Sequence, residues 1–205
     1  MFEKASSRRE LLKNGLLAGV TGAVALNGLT VIPAMAAAND AAILNAALDL
    51  EHQAIWAYSV AATKLTSTDV GNTVKSLALR NQADHMKHRD ALISVIKGLG
   101  KDPSQAKDAY DVSPYLKAQE GNLDSDANIA KLALALEVDA AIAYGDAFSK
   151  LKAVPHLEAA ASIAPNEAAH ATAIRAVFRT LIPTVEYVPS AFISSDTRSQ
   201  WVLKV

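Results

Sequence analysis

The chain has 205 residues, 51% of them hydrophobic and only 5% aromatic, with 20 Lys+Arg against 21 Asp+Glu and a net charge of −1. That length suits one domain, and the balanced charge, with no basic stripe beyond residue 15, argues against nucleic acid as a partner. Cysteine is absent, which excludes disulfides, thiolate metal sites and cysteine nucleophiles.

Residues 1–36 read as an address. A charged segment, Ser7-Arg8-Arg9-Glu10-Leu11-Leu12-Lys13, precedes an apolar run from Leu16 to Ile32, and Ala34-Met35-Ala36 supplies a small-x-small cleavage signal. This is the layout of a secretory signal peptide, and the paired arginines resemble the twin-arginine export motif. A retained membrane anchor is the other reading, but the run is short and contains Gly19, Gly22, Asn27 and Gly28. Export by this route implies a periplasmic or otherwise exported protein, folded before transport, with the export machinery as a transient partner.

The remainder reads as four amphipathic helices. The first is expected over 40–65, with Leu44, Leu48, Glu51, Ile55 and Tyr58 on one stripe. The second is expected over 69–99, with Asp69 as N-cap and a stripe through Val74, Leu77, Asn81, Asp84, His85, His88 and Leu92. A polar stretch from Gly100 to Leu123 carries Pro103 and Pro114. The third helix is expected from Asp124 or Ser125 to Leu151, and the fourth from Pro155, a favourable first-turn residue, to Leu181. Pro165 should kink the fourth helix. The tail over 184–205 is expected to be irregular and to pack on the bundle through Tyr187, Phe192 and Trp201. Short links within two helical pairs, and a long link between them, predict an all-α four-helix bundle over 37–183, made of two antiparallel hairpins and a crossover.

An internal repeat supports this. Leu48–Tyr58 aligns with Leu134–Tyr144, matching Glu51 to Glu137 and Tyr58 to Tyr144. His85-x-x-His88 on the second helix corresponds to Glu167-x-x-His170 on the fourth. Ionisable groups therefore sit on every apolar stripe, where a bare carboxylate costs several kcal/mol. A metal, or a metal pair, would satisfy Glu51, His85, His88, Glu137, Glu167 and His170 together. Carboxylate and imidazole donors suit iron or manganese. Tyr58 and Tyr144 are candidate hydrogen-bond donors to the centre or redox-active phenols, against the reading as ordinary core tyrosines, and Asn81 and Asp84 are candidates to orient the helix-two histidines. His52 reads as packing or surface and His156 as exposed.

On these residues the chain resembles the ferritin-like superfamily of di-iron carboxylate bundles, especially its exported bacterial members. The resemblance implies Glu51 and Glu137 as ligands from the first and third helices, His88 from the second, and the Glu167–His170 pair from the fourth. His85 falls where such proteins carry a second bridging Glu, so one metal or an asymmetric pair is expected. The implied activity is that of a non-haem iron or manganese oxidoreductase, a ferroxidase or peroxidase type acting on Fe(II), oxygen or peroxide. The alternative is a metal-free bundle with a structural, stress-related or interaction role in the cell envelope. A homodimer stays open.

Overall fold

The computed structural model describes the backbone from residue 31 and the side chains from residue 37; the export signal read in residues 1–36 lies outside the residues described in full. Six helices follow in chain order: α1 (Val31–Lys64), α2 (Asp69–Gly98), α3 (Ser113–Lys117), α4 (Asp126–Phe148), α5 (Val154–Leu181) and α6 (Arg198–Trp201). The four long ones are the expected all-α bundle, and no strand occurs among the described residues. Among them no helix is long and apolar enough to cross a membrane.

The starts of the helices follow from local chemistry. Thr68, and not Asp69, caps α2: its hydroxyl accepts from the Gly71 N–H, while Asp69 takes the first turn, where a carboxylate favours the helix dipole. Ser125 caps α4 by accepting from the Asn128 N–H. The chain entering α5 lacks a cap of its own, and Asp40 of α1 serves it. Its buried carboxylate accepts from the Lys152 and Ala153 N–H groups and from His156 Nδ1 at 2.8–3.1 Å. His156 is therefore buried, contrary to the sequence expectation, because its partner lies 116 residues away. The α5 helix runs on through Pro165.

The crossover closes on the bundle by a tight turn at Gly121, with φ 114°. A Cβ there would come within 2.2 Å of Leu132 N, so only glycine fits. The tail returns to the same region. Arg198 pairs with Glu120 at 2.7 Å and with Asp139 at 2.5 Å, and Lys204 adds a contact to Glu120 at 2.9 Å. Of the three tail aromatics expected to pack, only Trp201 is buried. Phe192 is exposed, and half-exposed Tyr187 lies under the Arg179 guanidinium.

Two apolar clusters fill the bundle. One joins Val74 of α2 to Leu134 and Val138 of α4, Ile174 and Phe178 of α5, and Trp201. The other joins Leu44 and Leu48 of α1 to Leu92 and Ile96 of α2, Tyr144 of α4 and Ile163 of α5. Each fully buried large side chain contributes about 1.5–3 kcal/mol. On α2 and α5 the ionisable residues fall between these clusters, and on α4 Glu137 sits between Leu134 and Val138 of the first, so the polar layer is flanked by hydrocarbon.

Candidate metal centre

All six donors come together in this layer. Glu51 and Glu167 are at most 1% exposed, His85 is 1% exposed, and Glu137 and His170 are also buried. His88 and Asp84 lie at its edge, each with a side chain 12% exposed. The donors form two quartets, each with ligand atoms within 4.8 Å of one another. One is Glu51, His85, His88 and Glu167; the other is His85, Glu137, Glu167 and His170. Glu167 and His85 belong to both. The i, i+3 spacing in Glu167-x-x-His170 puts both side chains on the same face of α5.

The supporting bonds cross the bundle. Tyr58 of α1 donates to Glu137 Oε1 on α4, and Tyr144 of α4 donates to Glu51 Oε1 on α1. The internal repeat is thus expressed as an exchange: each tyrosine serves the other half's carboxylate. Asn81 Nδ2 donates to the Tyr58 oxygen at 3.0 Å and lies 3.4 Å from Glu137 Oε1. It steadies the tyrosine–glutamate pair, not the α2 histidines as expected from the sequence. Asp84 differs from its expected role as well. It is held by Arg80 at 2.5 Å and Lys87 at 3.3 Å, and faces His170 of α5 at 3.5 Å.

His85 lies between the halves, with Nδ1 2.8 Å from Glu51 Oε2 and Nε2 3.2 Å from Glu137 Oε1. Burial alone would lower its pKa, but the Glu137 charge and hydrogen bonds to Glu137 and Glu51 raise it to about 11. Burial likewise opposes charging of His88 and His170, and the close carboxylates, Glu167 and Glu51 beside His88 and Glu137 and Glu167 beside His170, raise both to about 9. Burial also opposes ionisation of Glu51 and Glu137; the facing histidines outweigh it and hold both below the ordinary carboxylate value. At Glu167 burial wins and the pKa is raised.

Whether these residues suit a metal can be tested on the polar atoms left over. Both oxygens of Glu167, His88 Nδ1 and His170 Nε2 are buried without a hydrogen-bond partner. His88 Nδ1 is 2.9 Å from Glu167 Oε1, yet the two are not aligned as donor and acceptor. An unsatisfied buried carboxylate costs several kcal/mol, and close but unaligned donors are what ligands of a shared cation present. Three carboxylates and three imidazoles, with no thiolate, suit iron or manganese. The residues fit such an ion.

Residues 39–180 match the family described as ferritin-like domain. The chain belongs to this family. A crystal structure of a conserved hypothetical protein from Mycobacterium tuberculosis superposes with a TM-score of 0.58 at 23% identity, covering 68% of this chain and 97% of that one. At that identity the likeness speaks for the fold alone. No curated protein matches the chain. As a ferritin-like domain it departs from the symmetrical plan of one Glu from each of two helices and Glu-x-x-His from each of the other two. Its α2 offers His85-x-x-His88 instead.

Proposed function

We propose that this ferritin-like protein is exported and holds non-haem iron or manganese in its central layer, as an oxidoreductase acting on Fe(II), oxygen or peroxide. The observation that carries the reading is the buried, unsatisfied Glu167 facing His88 and His170. Glu51, Glu137, Glu167, His88 and His170 would hold the metal, with His85 as a donor to either half. The metal would supply one-electron redox chemistry.

The chain's own residues prepare the site. Tyr58 and Tyr144 hold Glu137 and Glu51 in place, each keeping its proton on the phenolic oxygen, because burial and the facing carboxylates push both phenols well above their usual range. Burial of Glu51, His85, Glu137 and Glu167 lowers the local dielectric, which strengthens the electrostatic contacts among them.

Elemental analysis of the protein taken from its native export route tests the metal. Iron or manganese should be present, and Glu167→Ala with His170→Ala should lose it. Absence of metal from the parent protein would leave the metal-free bundle. Export is tested separately: Arg8→Lys with Arg9→Lys should strand the precursor in the cytoplasm, and unchanged export would refute the twin-arginine route.

A further inference from the structure

A recess opens between α1 and α4, beside Tyr58. Its walls include Gln53, Ala54 and Ala57 of α1 and Ala133, Leu136 and Ala140 of α4, and Tyr58, His85 and Glu137 also line it. Its volume is about 50 Å³, several times the minimum that admits a water-sized probe. The crossed tyrosines give a physical reason for the gap. A phenol reaching from α1 to α4 sets the spacing of the two helices, and the flanking alanines are too short to fill it.

The repeat provides an internal comparison. The related recess beside Tyr144, walled by Ala46, Ala47, Leu50, Ala143 and Ala147, is lined by neither Glu51 nor any histidine. Of these two recesses, the one beside Tyr58 has donors of the centre, His85 and Glu137, in its lining. The outer rim includes Tyr115 and Asp139, and Asp139 is already neutralised by Arg198.

We propose that this recess is the route and resting place of dioxygen on its way to the Glu137 side of the centre, with the bore set by Ala54, Ala57, Ala133, Leu136 and Ala140. The walls suit a small uncharged molecule. A hydrated cation would have to shed water against Ala and Leu with no unpaired carboxylate before Glu137, at a cost of several kcal/mol. The destination of the route rests on the metal reading above; the recess itself does not.

The test separates the two. Metal-free full-length protein under xenon pressure should bind a xenon atom beside Tyr58, seen by diffraction or xenon NMR. Ala133→Leu should abolish that site and Leu136→Ala should retain it. In Fe(II)-loaded protein, Ala133→Leu should slow oxidation by dioxygen about tenfold or more at unchanged iron content, while Leu136→Ala is no slower than the parent. Should Ala133→Leu fail to fold, Ala54→Leu makes the same test from the opposite wall. No xenon in the parent, xenon that persists in both narrowed variants, or oxidation that a narrowed variant leaves unchanged, would overturn the route. Failure of the parent to hold iron would sink the metal reading and with it the destination, leaving the xenon result to stand on the recess alone.

Discussion

Tyr58 and Tyr144 are repeat equivalents, but their surroundings differ. Glu137 Oε1 has His85 Nε2 at 3.2 Å and Asn81 Nδ2 at 3.4 Å in addition to Tyr58. Glu51 Oε1 has Tyr144, while His85 faces the other oxygen of that carboxylate. Removing the Tyr144 hydroxyl leaves a buried carboxylate oxygen short of a donor, a loss of about 1–3 kcal/mol. Tyr144→Phe should therefore destabilise the metal-free protein more than Tyr58→Phe, because His85 and Asn81 still face Glu137 Oε1. Denaturant midpoints of the two variants check this; equal losses would show that His85 and Asn81 give no cover. The positions of these donors were legible in sequence as ionisable groups on apolar stripes, since a Glu flanked by Leu48 and Ile55 cannot face water. The crossing of the tyrosines was not. Periodicity tells which face a side chain occupies, but its partner on a neighbouring helix depends on how far the helices are offset along their axes. The same gap hid the partner of Asp84, which faces α5 and not the histidines of its own helix.

Among the elements, α5 depends most openly on a distant residue. Its approach is held by Asp40, whose carboxylate takes three donors from the α4–α5 link and from His156. Burial would raise the Asp40 pKa, but the His156 bond and the two backbone bonds prevail and lower it below 3.8. A lowered carboxylate stabilises the fold above its unfolded value and loses that contribution as pH falls through its folded value. Asp40 thus adds acid sensitivity below about pH 4. Asp40→Asn should cost about 1–3 kcal/mol at neutral pH, and should flatten the fall of stability between neutral pH and pH 3. Unfolding free energies measured across that range decide it; an unchanged acid limb would mean that Asp40 carries no such linkage. Helix existence here was plain from pattern, from Ser125 and from the Pro after Val154. The Asp40–His156 bond was invisible, since a pairing across 116 residues leaves no local mark. The tail shows the complementary limit. Three aromatics looked equally fit to pack, and only Trp201, beside the Arg198 anchor, is buried.

At the scale of the molecule, residues 34–205 form one compact unit, and the candidate ligands come from all four long helices. Metal should therefore stabilise the bundle as a whole. At a free metal concentration of 100 times Kd the gain is about 2.7 kcal/mol. Scanning calorimetry should show a single transition that moves up on loading with manganese, which avoids oxidation during the scan. The Glu167→Ala, His170→Ala protein should not respond. A local, low-temperature transition that alone shifts with metal would contradict a centre tied to every helix.

The exchanged tyrosines also constrain how such a molecule can be divided. A single helical hairpin carries a tyrosine without its carboxylate and a carboxylate without its tyrosine, so neither half is self-sufficient. Two copies of the α4–α5 hairpin, related by a two-fold axis, would restore both bonds. They would also bring together two copies each of Glu137, Glu167 and His170, the even-handed donor set from which α2 departs at His85. In a single chain the two halves need not be identical, so α2 can carry His85 where α5 carries Glu167 while both halves still supply donors.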